Sequence, residues 1–452
     1  MNIIFQQFFK SSPITGDALK VIFNYRTFKK TYKFLQESLF WSREQLEEYQ
    51  LVQLKKLLHH AYKNVPYYTK SFNSLGIKPN DIEDFKDLQK LPYLTKKILK
   101  ENINDFKAKN YPKHKFELIT TGGSTGEPLG LYLEKGIVQA NYTAYNQSFL
   151  DIANCNFKNK HSHLSGSENL CKYQAFGRVM IISSFYMSDK NLAFYVEKIK
   201  KFKPRFIVTF PSAITILAKF MDKNNIKSFP SIKTVICGGE IIYEEQRELI
   251  EKTFQCRVHA IYSHAELVVF ATTCKYSYNY HIYPQYGITE LIDKNKKPIN
   301  KKGEMGEIVG TGFINPIFPL IRYKTGDMGI LANQKCECGK NYLLLKSIIG
   351  RTQQFIISKT NRLIPLLGLY GLVARCTQNV KELQFLQEKE GEINLTIVKE
   401  KNYSHEDENL IKKSFSIKFK DEINLKINYI EKIPRSPRGK YQILIQKLPI
   451  EF

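Results

Sequence analysis

Two groups of residues have the types and spacing to do chemistry. The first is Thr120-Thr121-Gly122-Gly123-Ser124-Thr125-Gly126-Glu127-Pro128, directly after the apolar run Phe116 to Ile119. Glycines and hydroxyl residues after a strand can fold into a nest whose backbone N–H groups point at phosphate oxygens, with the hydroxyls adding donors. A structural Gly/Ser turn has the same composition, and the absence of a GxxxxGK[ST] lysine argues against a plain P-loop NTPase. The second group is Cys274, His281, Cys336 and Cys338, spaced C-x6-H and later C-x-C-G. Three thiolates and one imidazole suit a tetrahedral structural Zn²⁺ closed to solvent, although unrelated buried cysteines would also satisfy so permissive a spacing. Cys155, Cys171, Cys237, Cys256 and Cys376 read as small core residues or inert surface thiols.

The elements that must position these groups follow from periodicity. From 45 to 110 the chain reads as helical, with Leu46, Tyr49, Leu51, Leu54 and Leu57 at near-helical spacing until Pro66 ends the run. From 115 to 350 short apolar runs such as RVMIISSF, FKPRFIVTF, IKTVICGGE and CRVHAIY alternate with helical stretches such as ITILAKFMDKN and EEQRELIEKTF. That alternation predicts α/β units around a mostly parallel sheet. In the last hundred residues Ile393, Leu395 and Ile397 alternate, as do Ile423, Leu425, Ile427 and Tyr429, which predicts two strands buried on one face. Between them Ser404-His405-Glu406-Asp407 has the form of a capping box opening a helix. The expectation is a large α/β domain over 1–350, with a helical lead-in to about 112, and a small α+β domain over 351–452, joined near Gly350-Arg351.

Bulk properties narrow the function classes. The chain has 452 residues, 43% of them hydrophobic and 25% charged, so disorder and collagen-like architectures are excluded. Eight cysteines are too sparse for a disulfide scaffold, and a reducing compartment fits them best. The start, MNIIFQQFFKSSPITGD, lacks a basic n-region, and Leu363 to Ala374 is too short and too interrupted to span a bilayer. A cytoplasmic protein without a transmembrane segment is expected, peripheral membrane contact being left open. The net charge of +25 invites an anionic partner, but the lysines are scattered and no nucleic-acid-recognition motif is present. No nucleic-acid partner is expected.

Six motifs occur in order: TTGGSTGEP at 120–128, CGGE at 237–240, YSHAE at 262–266, RYKTGD at 322–327, GRTQQF at 350–355 and PRSPRGK at 434–440. Together with LKKLLHHAYKNVPYYTKSF and LPYLTKKIL nearer the N-terminus, they resemble the adenylate-forming superfamily, in its phenylacetate-CoA ligase-like branch that includes the CapK-like capsule-biosynthesis proteins. The resemblance implies an ATP-dependent ligase that activates a carboxylate as an acyl-adenylate, with ATP, Mg²⁺ and a structural Zn²⁺. Activation brings two anions together, so such a site needs cations and donors aimed at the charge developing on the α-phosphate.

Residue by residue, the resemblance assigns the phosphates to Gly122, Gly123, Ser124, Thr125 and Gly126 and the adenine to Tyr262, Gly239 and Glu240, with Thr121 and Ser263 among the ATP-binding residues. Asp327 would accept from the ribose hydroxyls, and Arg351 would sit near the ribose and phosphates. Glu266 would hold Mg²⁺. Lys440, on a mobile C-terminal domain, would bridge substrate carboxylate and α-phosphate as a point charge. A Cys/His knob at about 270–340 is likewise a feature of that branch. Tyr142 and Tyr145, on a helix from Val138 to Leu150, and His264 are candidates for the carboxylate pocket; aromatics at helical spacing also suit a core.

Departures are visible as well. Glu127 stands where many relatives have Lys, Ala265 replaces a threonine, and Gln353-Gln354 replaces a pair of aspartates at the junction. A degenerate member that binds nucleotide without turnover is therefore an alternative, against which the retention of Glu266, Asp327 and Lys440 argues. The expected acceptor of the acyl group is an amine or hydroxyl on a sugar or amino acid, with coenzyme A as the alternative.

Overall fold

A computed structural model describes residues 24–120, 129–351, 355–435, 442–448 and 450. The chain divides into two compact units, one formed by the described residues of Met1–Asn159, His259–Thr325 and Gly329–Ser347, the other by Lys160–Val258, Gly326–Met328 and Ile348–Phe452.

The first unit opens with helices α1 (Tyr25–Glu37), α2 (Arg43–Asn64), α3 (Pro66–Ser74) and α4 (Lys96–Glu101). Ser42 and Gln45 close a capping box at the start of α2: Ser42 Oγ accepts from Gln45 N at 3.2 Å, and Gln45 Oε1 accepts from Ser42 N at 2.9 Å. Leu46, Leu54 and Leu57 are buried as expected, while Tyr49 and Leu51 are half-buried. Pro66 both ends and begins helix here: α2 stops at Asn64, Val65 turns extended, and Pro66 occupies the first turn of α3, where its missing N–H costs nothing. Strands β1 (Phe116–Thr120) and β2 (Gly130–Glu134) form an antiparallel hairpin, followed by α5 (Ile137–Ile152).

The sheet of this unit comprises β8 (Arg257–Ser263), β9 (Phe270–Thr272), β10 (Tyr280–Ile282), β11 (Gly287–Ile292), β12 (Met305–Gly312), β13 (Tyr323–Leu331) and β14 (Leu343–Arg351) in the order β11-β12-β13-β14-β10-β9-β8. The pairs β8/β9, β9/β10, β10/β14 and β11/β12 are antiparallel. The parallel pairing that the alternating pattern predicts lies in the second unit.

There β3 (His161–Ser165), β4 (Cys171–Gln174), β5 (Val179–Ser183), β6 (Phe206–Thr209) and β7 (Thr234–Gly238) run in the order β7-β6-β3-β5-β4. The first three neighbouring pairs are parallel, and β4 is an antiparallel edge strand. Helices α6 (Asp189–Phe202) and α7 (Pro211–Lys223) are the crossovers that parallel strands require, and α8 (Glu244–Phe254) follows β7.

The same unit contains a second layer with its own core. A short hairpin, β15 (Phe355–Ile357) with β16 (Leu363–Pro365), leads into α9 (Leu366–Cys376). Then β17 (Val380–Lys389), β18 (Glu392–Lys399), β19 (Asn424–Tyr429) and β20 (Leu444–Gln446) form a sheet in the order β19-β18-β17-β20, with α10 (His405–Phe419) between β18 and β19. Ile393, Leu395 and Ile397 face a core with Phe385, Ile411 and Phe415, as their alternation predicts. The capping box at Ser404 is present: Asp407 Oδ2 accepts from Ser404 N at 2.8 Å, and Ser404 Oγ accepts from Asp407 N at 3.4 Å.

Candidate active site and metal centre

In the first unit, the YSHAE residues sit where β8 ends, all half-buried and therefore within reach of a small molecule. Ser263 Oγ lies 2.6 Å from the hydroxyl of Tyr142, which ties the end of β8 to α5. Tyr262 OH lies 2.9 Å from His264 Nε2, with the two rings edge to face at 4.9 Å. This contact turns the His264 ring against Tyr262. Glu266 Oε1 accepts from Tyr323 OH at 3.3 Å. Tyr323 thus orients a carboxylate that retains lone pairs for a hard cation.

Tyr323 is placed in turn by its neighbour Arg322, the first residue of RYKTGD, whose type and position in the sequence carry no evident role. Arg322 is 2% exposed. Its Nη2 and Nε donate to Glu290 at 2.7 and 3.0 Å, and its Nη1 donates to Leu91 O at 2.6 Å. The guanidinium also packs on the ring of Tyr93, 4.1 Å from its centroid, and donates to that hydroxyl at 2.9 Å. The one available signal was a cation inside the apolar run Ile317 to Tyr323.

Tyr142 and Tyr145 are 3% and 2% exposed on α5. Burial pushes both hydroxyls above the ordinary tyrosine range, so they stay neutral. Tyr145 packs among Phe270, Tyr283 and Tyr286, with ring centroids 4.9 to 5.9 Å away, and so belongs to an aromatic core. Tyr142 also packs on Phe270, but its hydroxyl reaches the motif through Ser263.

In the second unit, Gly239 follows β7 with φ at +77°, a conformation that strains any L side chain. The turn directs Glu240 to the start of α7, where its carboxylate accepts from Ser212 N and Ser212 Oγ, both at 3.1 Å. A carboxylate at a helix N-terminus is favoured by the orphan N–H groups and the helix dipole. Asp327 is half-buried on β13 after Gly326, whose φ of +74° is again a glycine conformation. The residues Thr121, Gly122, Gly123, Ser124, Thr125, Gly126, Glu127, Gln353, Gln354 and Lys440 lie outside the described residues, as does the side chain of Arg351.

Cys274, His281, Cys336 and Cys338 converge in the first unit, with their ligand atoms all within 4.8 Å of one another. Cys274 Sγ is 3.5 Å from Cys336 Sγ, and His281 Nε2 is 3.2 Å from Cys338 Sγ. Those separations suit the edges of a tetrahedron around Zn²⁺, about 3.7 Å for zinc–sulfur bonds of about 2.3 Å. His281 Nδ1 lies 3.1 Å from Asn279 O; donating to that carbonyl fixes the tautomer that leaves Nε2 facing the sulfurs. Hydrogen bonding from Cys338, with His281 alongside, pulls the Cys274 thiol well below its ordinary range. Buried Lys340 lies close enough to interact with all three sulfurs, and its charge would offset the net negative charge of three thiolates on a divalent ion. The donor set therefore fits a structural thiophilic cation.

Comparison with known proteins adds two levels of likeness. The sequence model of the AMP-binding enzyme family matches residues 68–312, and that of the CapK C-terminal domain matches residues 356–447. Protein CapK of Staphylococcus aureus is 27% identical over 97% of this chain and 99% of its own length. Phenylacetate-coenzyme A ligase of Thermus thermophilus is 23% identical over 72% of this chain and 74% of its own. Among solved structures, 2-hydroxyisobutyryl-CoA ligase in its postadenylation state superposes with a TM-score of 0.75 at 16% identity, over 91% of this chain and 92% of that one. That likeness is one of fold. Among the described residues, no helix is long and apolar enough to cross a membrane.

Proposed function

The chain belongs to the AMP-binding enzyme family and is an adenylate-forming ligase; from that premise we propose that it activates a carboxylic acid and transfers the acyl group to an amine or hydroxyl on a sugar or amino acid in surface-polysaccharide synthesis. In the first step a carboxylate oxygen attacks the α-phosphorus of ATP, and the bond to pyrophosphate breaks. In the second, the acceptor attacks the acyl carbon, and AMP leaves with the bonding electrons.

The observation that carries the choice of acceptor is the C-terminal match to the CapK domain, together with alignment to Protein CapK over almost the whole chain. Coenzyme A is the second reading, favoured by the phenylacetate-coenzyme A ligases that align with 72% of the chain.

In this reading Tyr262 offers its ring to the adenine, Gly239 and Glu240 are base-lining residues, Ser263 is an ATP contact, Asp327 holds the ribose hydroxyls, and Arg351 faces the ribose and phosphates. The residues 121–126 cradle the phosphates. Glu266 is the carboxylate that would hold Mg²⁺, an ion that neutralises phosphate charge when bound. Tyr323 keeps Glu266 in place, and His264 stands at the edge of the acid pocket with Tyr142 behind Ser263. Lys440 carries the positive charge to the carboxylate and α-phosphate, on a C-terminal domain that begins after Gly350-Arg351. Cys274, His281, Cys336 and Cys338 hold Zn²⁺ as a structural ion.

Carboxylate-dependent ATP–pyrophosphate exchange over aryl, fatty, amino and uronic acids tests the first step. One class of acid should support exchange, and Lys440→Ala should lower it by about a hundredfold or more, since a charge aimed at the developing phosphate charge acts in the transition state. Exchange undiminished in that variant removes Lys440 from the chemistry. Supplying sugar amines, sugar alcohols or coenzyme A to the loaded enzyme, and measuring AMP release, then decides the acceptor.

Metal analysis tests the second site. Wild type should carry one equivalent of zinc, and Cys336→Ser should lose most of it and melt at lower temperature. A metal-free wild type of unchanged stability would remove the ion from the scheme.

A further inference from the structure

The parallel sheet of the second unit presents an unusual edge. In register, His161 of β3 pairs with Val179 of β5 and Phe206 of β6, and Phe206 pairs with Thr234 of β7. One residue before each strand stands a cation: Lys233, Arg205, Lys160 and Arg178. Backbone hydrogen bonds continue the ladder through them. Lys233 N donates to Arg205 O and Arg205 N to Lys160 O, both at 2.7 Å, and His161 N donates to Arg178 O at 3.1 Å.

The four cations are therefore laid side by side at the strand spacing, spanning about 14 Å. Lys233, Lys160 and Arg178 are exposed and Arg205 is half-buried. Like charges on adjacent strands repel, so an anion that meets such a row relieves that repulsion.

Beside the row, the turn joining β4 to β5 carries an aromatic residue in an unfavourable setting. Ala175, Phe176 and Gly177 have φ of +49°, +55° and +79°, and Phe176 is 108% exposed. A bulky residue in the left-handed region, with its ring wholly in water, is disfavoured twice over. Tyr173, 51% exposed, packs on Phe202 with ring centroids 5.6 Å apart, and Lys160 Nζ lies 5.5 Å from the same Phe202 ring. Apolar tip and cationic row are thus one patch. The end of α6 adds Lys200, Lys201 and, at its cap, Lys203.

We propose that this amino-end edge of the sheet docks on an anionic lipid bilayer, with Phe176 entering the headgroup region while the exposed Lys233, Lys160 and Arg178 face the lipid phosphates. Cations near an anionic leaflet and an inserted aromatic ring are the two ingredients of reversible surface binding. Nucleic acid would also meet the charge, but its single-strand sites stack bases on rings set along a groove, whereas here one ring projects from the end of a hairpin. The docked edge is opposite the carboxyl end of β7, which leads into Gly239 and Glu240, so binding leaves that end open to small molecules.

The test is sedimentation of the full chain with vesicles of phosphatidylcholine mixed equally with phosphatidylglycerol, and with phosphatidylcholine alone. Binding should require the anionic lipid and fall steeply with salt. Phe176→Ser should weaken it by about tenfold, the worth of one buried aromatic ring. Lys160→Glu combined with Arg178→Glu should abolish it. These positions are exposed, so unchanged melting curves will show that the variants fold.

Phe176→Trp supplies a direct reporter, because the chain has a single tryptophan, Trp41. Emission of the variant should shift to the blue with anionic vesicles while that of wild type does not. Any of these results would overturn the proposal: no sedimentation with anionic vesicles, equal binding by wild type and Phe176→Ser, or binding of a single-stranded oligonucleotide in place of vesicles. Self-association lost in Phe176→Ser would likewise assign the patch to a second copy of the chain.

Discussion

Two cations drawn largely out of water, one in each unit, are treated in opposite ways. In the first, Arg322 is closed in with Glu290 as a bidentate partner, a carbonyl and a tyrosine ring completing its surroundings. In the second, Lys219 on α7 donates to the carbonyl of Val380 at 2.6 Å, and the carboxylates around it are already engaged. Glu400 pairs with Lys223 at 2.8 Å, Glu382 with Arg435 at 2.8 Å, and Asp189 with Lys381 at 3.4 Å. Burial consequently pulls the Lys219 ammonium down to about 8, although Glu400 and Glu382 act in the other direction. A paired guanidinium is a permanent structural charge, whereas an ammonium facing a carbonyl is one that the fold would rather hold neutral.

The larger effect expected from this contrast is at Arg322. Arg322→Met removes the counter-ion of a nearly buried Glu290 and should cost about 3–5 kcal/mol, read as a lowered urea midpoint. Adding Glu290→Gln should recover much of that loss, because the stranded charge is then gone. A single variant as stable as wild type would show that water reaches Glu290 and that the pair is not buried in solution. Exchange activity should fall in both variants, since Arg322 places Tyr323 and Tyr323 places Glu266.

How far these features could be read from sequence depends on whether they are local. The capping box at Ser404 and Asp407 spans three residues, and the alternation at Ile393, Leu395 and Ile397 is contained in one strand, so both were legible. The four Cys/His residues were legible despite their separation, because few residue types can serve as soft ligands. The function of Arg322 was hidden, since its partners lie 32 residues away at Glu290 and 231 away at Leu91. Helical spacing at Tyr142 and Tyr145 could not separate a pocket wall from a core; burial does so for Tyr145 by packing it among Phe270, Tyr283 and Tyr286. The cation row at the sheet edge was invisible for a related reason: Lys160, Arg178, Arg205 and Lys233 become neighbours only through strand register, and in a lysine-rich chain each looks like one more solvated charge.

The smaller effect is at Lys219, and there the sign of the pH dependence decides the argument. Its pKa in the folded chain, about 8, lies below the value of about 10.4 expected in the unfolded one. Between those values the unfolded chain binds more protons, so the contribution of this group to stability rises with pH. Below about 8 both states are charged, and the full cost of holding the ammonium out of water is present. Lys219→Met removes that cost while keeping an unbranched side chain of similar length. At neutral pH the variant should be more stable than wild type, by on the order of 2 kcal/mol, and the advantage should shrink as pH approaches 10. Thermal melts of the pair across that range isolate this group, because other titrating residues are common to both chains. A variant less stable than wild type, by a margin that does not change with pH, would mean that the bond to Val380 O outweighs desolvation. Lys219 would then belong with Arg322 as a charge the fold uses rather than one it tolerates.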